Sequence, residues 1–324
     1  TLGRTGLNVS VAGLGCGGGS GLGSKQGKSE AHSIGIVHQA VDLGVNFLDT
    51  AKAYGTEAIV GKAVQSLQRD ALVISTKSSP LKDGERMSTE EIIANLDQSL
   101  RDLKTDYVDV FNLHSLQLKD YDYAMDVLVP ALLKEKEKGK FRFLGATEQG
   151  PRDLRHEMFL HAFDDDPFDV IMVAYNMMNQ GAEQTIFPET LERRIGTLIM
   201  FAVRAVFSVA GRLQQDINKL VEDGQLPQWL ADTDNPLGFL IHEDGAESII
   251  DAAYRYVRHQ PGADVVLFGT GNPEHLETNL ASILKPPLPD ADVARMRELF
   301  AHLTGFGLDF PAWRKADKPA QTKK

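Results

Sequence analysis

Four polar side chains stand where they could carry out acid–base chemistry together. Asp49, Lys77 and His114 each end a mostly apolar run that predicts a buried strand, and Tyr54 follows Asp49 by five residues. Each residue alone has an ordinary structural explanation, such as a helix cap, a solvated lysine or a hydrogen-bonded core histidine. If the strands are parallel neighbours, however, their carboxyl ends meet at one mouth. Their joint placement therefore favours a functional site.

The predicted chemistry of this group is reversible proton transfer to a carbonyl oxygen. The ordinary pKa of tyrosine is about 10, and an ammonium group ~4 Å away would stabilise the phenolate by up to ~4 kcal/mol, on the order of three pKa units. We therefore expect Lys77 to lower the pKa of Tyr54. Asp49 would keep Lys77 charged, and His114 would hydrogen-bond a substrate oxygen. Because the group contains no strong nucleophile, a hydride would have to come from a cofactor.

The elements that must position these residues form an alternating pattern. Short β-type runs alternate with longer amphipathic stretches, as in a parallel sheet with crossover helices, and no linker divides the chain. Ser88 with Glu91, and Asn272 with Pro273, mark the starts of two helices. Eight β-type runs match an α/β protein of the (α/β)8 TIM-barrel class, so residues 1–324 are predicted to form a single domain. The predicted strands are Asn8–Gly15, Val45–Asp49, Ala71–Lys77, Tyr107–His114, Phe141–Thr147, Phe168–Tyr175, Gly196–Ala202 and Asp264–Gly269.

Three segments fall outside this scheme. Residues 1–9 predict a β-hairpin that plugs the amino-terminal end of the barrel. Phe207–Asp244 predicts a long loop with a helix-like run on the active face. The loop and tail of residues 303–324 contain three aromatic residues that would either close over the pocket or pin the terminus to the barrel wall. They are Phe306, Phe310 and Trp313, and the basic end from Lys315 to Lys324 is expected to fray.

Composition excludes several classes of function. The 324 residues carry 34 basic and 45 acidic side chains, a formal charge of −11, which disfavours binding to nucleic acid or to anionic membranes. One cysteine, Cys16, permits no intrachain disulfide and fits a reducing compartment, so we expect a cytoplasmic protein. Neither a membrane span nor a signal peptide is predicted, and no histidine and carboxylate cluster suits a metal-dependent hydrolase.

A glycine-rich segment resembles a dinucleotide-binding fingerprint but lacks its context. Gly13–Gly18 fits the G-x-G-x-x-G pattern, yet the glycines continue through Gly23. The next acidic strand end, Asp49, lies 36 residues beyond Gly13 rather than about 20. We therefore predict a flexible loop in which Gly17 lets the backbone approach a ligand.

Seven ordered segments together resemble the aldo-keto reductase superfamily. They are Asn46–Gly55, Ile74–Lys77, Asp106–His114, Gly3–Ser10, Leu144–Thr147, Tyr175–Asn176 and Phe268–Asn279. The resemblance covers nearly the full length and implies an (α/β)8 barrel that uses NAD(P)H. It further implies a complete catalytic tetrad of Asp49, Tyr54, Lys77 and His114, with Tyr54 as the acid/base.

The nicotinamide end of the implied cofactor site departs from the family pattern. Thr147 and Glu148 stand where the family usually has Ser-Asn, and Met172 stands where a Gln commonly holds the carboxamide. We expect Glu148 to accept the carboxamide N–H2 and Thr147 to hydrogen-bond the same group. Met200 aligns with an aromatic that stacks on the nicotinamide ring in many members, and a thioether can take that place. Arg204 is expected to reach the pyrophosphate or to be solvated.

The adenosine end is implied at the last strand. Gly269 and Thr270 would offer backbone N–H groups to a phosphate, and Asn279 would read the adenine edge. Many NADP-preferring members carry Lys or Arg at the positions of Gly269 and His275. Thr270 with a protonated His275 would still hold a 2′-phosphate, so NADP(H) is favoured and NAD(H) stays open.

Two hypotheses follow from the whole sequence. The first is an oxidoreductase that reduces an aldehyde or ketone to an alcohol, or runs the reverse, with the proton from Tyr54. The alternative is a regulatory protein of the same fold that binds the cofactor with little turnover, which the altered Glu148 and Met172 positions favour. A small-molecule carbonyl or alcohol is the expected partner, whereas substrate identity and oligomeric state are not predicted.

Overall fold

Eight parallel strands close into a barrel in the computed structural model, which describes residues 1–308. Around the barrel the strands follow the order β1, β2, β3, β6, β7, β8, β9 and β10, and β10 pairs again with β1. A separate two-stranded antiparallel ribbon, β4 with β5, lies between β3 and the next helix. The strands are β1 Ala12–Gly15, β2 Phe47–Asp49, β3 Val73–Ser78, β4 Leu81–Lys82, β5 Glu85–Arg86, β6 Val108–Leu116, β7 Phe141–Glu148, β8 Val170–Ala174, β9 Gly196–Met200 and β10 Val265–Phe268.

Helices surround the barrel and follow most of its strands. The predicted capping box is present, since Ser88 Oγ accepts from Glu91 N and Glu91 Oε2 accepts from Ser88 N. Asn272 likewise caps the helix that Pro273 opens. The α-helices are α1 Glu30–Asp42, α2 Glu57–Val64, α3 Thr89–Leu103, α4 Leu118–Tyr123, α5 Val129–Glu137, α6 Glu157–Asp165, α7 Ala182–Thr185, α8 Phe187–Arg193, α9 Ala205–Ser208, α10 Arg212–Glu222, α11 Ile249–Arg258, α12 Pro273–Leu284 and α13 Asp290–Phe300.

All eight predicted strands are confirmed, with ends that differ by a few residues. Apolar residues face both ways from the barrel strands other than β1 and form two cores. The larger core packs helices against the barrel wall, and the smaller one fills the barrel interior. Phe47, Val110 and Val170 belong to the interior core, and Met172 and Met200 continue it toward the carboxyl ends of the strands. A packed interior leaves the strand ends as the place for chemistry.

The prediction of an amino-terminal hairpin was wrong. Residues Gly3–Thr5 form a single 3-10 turn, and no strand is present before Ala12 in the described chain. Leu2 and Leu7 are buried in the interior core, so the segment does plug the barrel. Gly3 and Gly6 both adopt positive φ angles, and Arg4 bonds Asp166 and the Phe168 carbonyl. The contacts of Arg4 with Asp166 and Phe168, rather than pairing with a second strand, hold the turn in place.

The long segment after β9 is partly helical. It begins with α9 and α10, and its first turns border the mouth of the barrel. At the other end of the described chain, Phe306 packs against the larger core and Gly305 N bonds Asn179 Oδ1. Phe310, Trp313 and the basic tail lie outside the described residues. Within residues 1–308, no helix is both long and apolar enough to span a membrane.

Candidate active site

A buried ion pair lies at the carboxyl ends of β2 and β3. Lys77 Nζ is 2.7 Å from each carboxylate oxygen of Asp49 and donates a third bond of 2.7 Å to the carbonyl of Thr50. Ser75 Oγ donates to Asp49 Oδ1 at 2.9 Å. Asp49 is 3% exposed and Lys77 is 0% exposed. All three ammonium hydrogens therefore have acceptors, which fixes the side chain in one position.

Burial acts against both charges of the pair, and in Asp49 it prevails over the attraction of Lys77, so the pKa of Asp49 lies above its ordinary value. Burial lowers the pKa of Lys77, but its neighbours, first Asp49 and then Tyr54, together raise that pKa above its ordinary value. A buried ammonium without such a partner would lose its proton, since desolvation disfavours the charged form. Asp49 thus keeps a positive charge at the base of the site, as the sequence predicted.

Tyr54 and His114 lie above this ion pair. Lys77 Nζ is 5.0 Å from the centre of the Tyr54 ring. The rings of Tyr54 and His114 meet edge to face, with centroids 5.5 Å apart and planes at 86°. Tyr54 ends a 3-10 turn after β2, and His114 lies within β6. The structure therefore brings the four residues together, as their positions at strand ends require.

The expected direction of the Tyr54 pKa was wrong. Burial raises the pKa of Tyr54, and the opposing effect of Lys77 does not cancel it, so the net pKa lies above the ordinary value. Placing a phenolate in a low-dielectric site costs more than the attraction of Lys77 returns. At neutral pH the hydroxyl is protonated, which suits a proton donor.

His114 is neutral at physiological pH. Burial and the nearby Lys77 lower its pKa to about 3. A neutral imidazole has one N–H donor and one acceptor nitrogen, so His114 can hydrogen-bond a substrate oxygen without supplying a proton. Between the two groups, Tyr54 is the one that carries an available proton.

The site opens into a cavity of about 760 Å³. Asp49, Tyr54 and His114 line it, while Lys77 lies beneath. Of the predicted cofactor residues, six lie on the wall of this cavity: Gly17, Thr147, Glu148, Met200, Arg204 and Gly269. A volume of this size accommodates a nicotinamide and a small substrate together.

A second cavity of about 480 Å³ continues from the first. Ser20, Gln26 and Gly269 line both. The second cavity contains the predicted Thr270 and His275 at the start of α12. Asn279 lies four residues after His275 on α12, about one turn further, and lines neither cavity.

Glu148 has two protein partners within the barrel wall. Its Oε1 accepts from Ala174 N at 2.7 Å, its Oε2 lies 2.8 Å from Nδ1 of His156, and the side chain has no exposed surface. Although burial lowers the pKa of His156, the carboxylate raises it above its ordinary value. Both oxygens of Glu148 therefore already have partners inside the barrel wall, and the contact with a carboxamide stays a prediction. Sequence reasoning missed His156, because eight residues separate it from Glu148.

Thr147 also has a protein partner. Its Oγ1 accepts from Ser115 N at 2.7 Å, which leaves its hydroxyl hydrogen available to another acceptor. Ser115 has a positive φ of 56° and lines the cavity beside His114. The contact joins β6 to β7 at the mouth.

Sequence reasoning also missed an aromatic residue at the mouth. Phe201, directly after β9, lines the cavity in a left-handed conformation with φ 72°. The guanidinium carbon of Arg204 lies 4.4 Å from the centre of its ring. Met200 borders the same cavity but belongs to the apolar interior. Phe201 therefore offers an aromatic ring next to Met200, and the place of Met200 beside the nicotinamide stays a prediction.

Comparison with known protein families identifies the family of this chain. The model described as "Aldo/keto reductase family" matches residues 14–301. The chain belongs to the aldo/keto reductase family. The predicted resemblance is thereby confirmed, and the closed barrel is the fold expected of this oxidoreductase family.

Two curated proteins are similar in sequence to this aldo-keto reductase. It is 33% identical over 196 residues to L-galactose dehydrogenase of Arabidopsis thaliana, a match that covers 59% of this chain and 59% of that protein. The match thus spans less than two thirds of that relative. It is 27% identical over 302 residues to aldo-keto reductase YhdN of Bacillus subtilis (strain 168), covering 86% of both.

Solved structures agree on the architecture of this aldo-keto reductase. The holo form of aldo-keto reductase AKR11C1 from Bacillus halodurans superposes with a TM-score of 0.69 at 22% identity. That alignment covers 93% of this chain and 95% of the other. At this level of identity the likeness shows the fold. Aldo-keto reductases in general use NAD(P)H to reduce small carbonyl compounds.

Proposed function

We propose that this aldo-keto reductase reversibly reduces an aldehyde or ketone to an alcohol with a nicotinamide dinucleotide. One observation carries the proposal: a charged Lys77, fixed by Asp49, lies directly below a protonated Tyr54 that borders an open cavity. The reduced dinucleotide, when bound, supplies a hydride to the carbonyl carbon. The protein must then supply a proton to the carbonyl oxygen.

Tyr54 is the proton donor in this proposal. Its O–H bond breaks as the alcohol O–H bond forms, and the phenolate keeps the electron pair. In the reverse direction the phenolate takes the alcohol proton. The raised pKa of Tyr54 keeps the donor protonated before reaction.

Lys77 and Asp49 stabilise the phenolate that this transfer creates. A fixed ammonium needs no reorganisation when negative charge develops beside it, and the buried site does not screen it. Asp49 contributes by keeping Lys77 ionised and in place. It does not itself exchange a proton with substrate.

His114 orients the carbonyl. With a pKa of about 3 it stays neutral, so its N–H can donate to the carbonyl oxygen without competing as an acid. Its edge-to-face contact with Tyr54 places both groups on the same side of the cavity. This arrangement directs the oxygen toward the phenol.

The connected cavities suit an elongated dinucleotide. Tyr54 lies in the first, where Phe201 offers an aromatic face to a nicotinamide ring and Arg204 a cation to the pyrophosphate. The start of α12 lies in the second, and helix amino termini favour phosphate. Gly269 connects them, and a Cβ there would lie 2.8 Å from the carbonyl oxygen of Gly15. Only glycine fits at that junction.

We favour NADP(H) over NAD(H). The second cavity is lined by Lys28, His32 and His275, and none of its described lining residues is acidic. An acidic residue is the usual partner of a free ribose 2′-hydroxyl in dinucleotide sites, whereas a 2′-phosphate requires cations. Lys28, which the sequence reading passed over, supplies the cation that is missing at Gly269.

Titration and turnover test the proposal. Purified protein is titrated with NADPH and NADH while fluorescence is followed, and then aldehydes, ketones and, with NADP+, aldoses including L-galactose are added while absorbance at 340 nm is recorded. We expect tighter binding of NADPH and oxidation of it by at least one carbonyl. Lys28→Ala should weaken NADPH binding about 10-fold and leave NADH unchanged, whereas Lys134→Ala, on the outer face of α5, should change neither.

Each other outcome has a definite meaning. Binding of a dinucleotide without turnover of any substrate supports the alternative, a regulatory protein that keeps the cofactor site. Failure to bind either dinucleotide refutes the proposed function. Equal affinities for NADPH and NADH in the parent and in Lys28→Ala refute the preference alone.

A further inference from the structure

The last residue of β7 stabilises the barrel wall through its side chain. Backbone pairing between β7 and β8 ends at Thr147 with Met172. Two residues later, Ala174 N donates to Oε1 of Glu148 at 2.7 Å. The carboxylate therefore continues the contact between the strands beyond the last backbone pair. Because Met172 and Thr147 both border the cavity, this bond controls the spacing of its wall.

The second oxygen of Glu148 closes the loop that follows. Oε2 lies 2.8 Å from Nδ1 of His156, which begins α6 with a left-handed φ of 60°. The other ring nitrogen of His156 has no hydrogen-bond partner among the described residues. Glu148 is thus the group that holds this ring. Both side chains are 2% exposed or less, so water does not compete for the contact.

The enclosed loop forms part of the cavity. Gln149, Gly150 and Pro151 all line it. A Cβ on Gly150 would lie 2.7 Å from Cβ of Ala174 and 3.0 Å from Cε2 of Phe201, so the loop runs directly against the ring that borders the nicotinamide end. Any displacement of the loop or of the end of β8 must therefore move this wall.

We propose that Glu148 and His156 act as a coupled pair of positioning residues for the nicotinamide half of the cofactor site. The inference rests on the proposed dinucleotide cofactor. Neither side chain contacts the cofactor in this account: both oxygens of Glu148 are already bonded and point into the wall. The pair acts through Thr147, the Gln149–Pro151 turn and Phe201.

Removing either side chain of the pair should displace the wall of the cavity, because a buried partner is left without its hydrogen bond or its opposite charge. Glu148→Ala leaves the His156 ring and Ala174 N without their partner in a buried region, and His156→Ala leaves a buried carboxylate without its cation. Glu148→Gln, by contrast, keeps an oxygen for Ala174 N and an N–H2 for Nδ1 of His156. It is the conservative variant that should restore function.

The test compares whole and truncated cofactors. Affinities are measured by titration for NADPH and for 2′-phospho-ADP-ribose, which lacks nicotinamide. We expect Glu148→Ala and His156→Ala each to lose on the order of 10-fold in affinity for NADPH and to bind the fragment as the parent does. The double variant should lose no more than either single one, because the two residues act as a unit. Glu148→Gln should bind NADPH within about twofold of the parent, and Glu85→Ala, at an exposed site, is the control.

The possible results separate three explanations. Equal losses for NADPH and the fragment, or additive losses in the double variant, overturn the inference and leave the proposed function intact. If His156→Ala binds NADPH normally and Glu148→Ala does not, Glu148 contacts the cofactor directly. That result also overturns the inference. If the parent binds neither NADPH nor the fragment, the proposed function and this inference both fail. Should either alanine variant not fold, Glu148→Asp and His156→Asn provide the same comparison.

Discussion

A Cβ atom on Gly17 would lie 2.4 Å from Cδ2 of Tyr54 and 2.5 Å from Cε2. The glycine-rich loop after β1 therefore packs directly on the face of the tyrosine ring, with no room for a side chain between them. Gly17 does not have a positive φ, so the contact with Tyr54 is the reason for glycine at this position. The loop supports the Tyr54 ring as well as bordering the cavity.

Gly17→Ala should displace Tyr54 and reduce kcat by about 10-fold or more, because small misplacements of a reacting group cost large factors in rate. Gly19→Ala is the matched control, since a Cβ there meets nothing within 4 Å and its φ is not positive. Steady-state kinetics on both variants check the prediction. Equal kcat values for the two would show that the ring tolerates the added methyl group.

Tyr54→Phe should lower kcat by roughly 100-fold to 10,000-fold, the range for loss of a general acid. Cofactor affinity should stay close to that of the parent, since only the hydroxyl is removed. Stopped-flow measurement of NADPH oxidation, together with a fluorescence titration, separates the two quantities. An unchanged kcat would remove Tyr54 from the acid/base role.

Lys77→Met should destabilise the fold by about 3–5 kcal/mol, because it leaves the buried Asp49 carboxylate without its cation. Lys77→Met combined with Asp49→Asn removes both charges and should recover part of that loss. Urea unfolding of the three proteins gives the free energies. Activity should not return in the double variant, since no cation remains beside Tyr54; recovery of kcat would show that Lys77 serves stability alone.

The dependence of kcat/KM on pH should show no ionisation near pH 6.5. The pKa of His114 is lowered to about 3, so His114 binds no proton between pH 5 and pH 8 and its hydrogen bonding does not change there. Loss of activity at high pH should instead follow deprotonation of Tyr54, whose pKa is raised. A descending limb near pH 6.5 that disappears in His114→Gln would contradict the neutral assignment.

The barrel and the four central residues were predictable because their signals are local. Each strand is an apolar run, and a polar residue at its carboxyl end is placed by the parallel arrangement alone. The Asp49 and Lys77 pair follows because buried charges must be matched. The amino-terminal turn was not predictable in the same way, since Arg4 is held by Asp166 and Phe168, which lie more than 160 residues away.

The cofactor residues were harder to place for two physical reasons. A side chain at a strand end can point into the cavity or into the barrel wall. The Glu148 carboxylate points into the wall, where it bonds His156 and Ala174 N. Met200 and Phe201 also both border the cavity, and neighbouring residues of an extended chain face opposite ways, so sequence position alone does not choose between them. Lys28 escaped notice because it lies on the segment after β1, and only the closed barrel brings β1 beside β10.

The burial of the ion pair beneath Tyr54 separates two electrostatic tasks in one protein. Lys77 and Asp49 have almost no exposed surface, so dissolved ions cannot approach them closely enough to screen their charges. Lys28 and His275, at the far cavity, are exposed and are fully subject to such screening. Rising ionic strength should therefore raise the KM for a phosphate-bearing cofactor while leaving the rate at saturation unchanged. In the proposed mechanism, the proton-transfer step is therefore independent of ionic strength, and only binding of the cofactor responds to it.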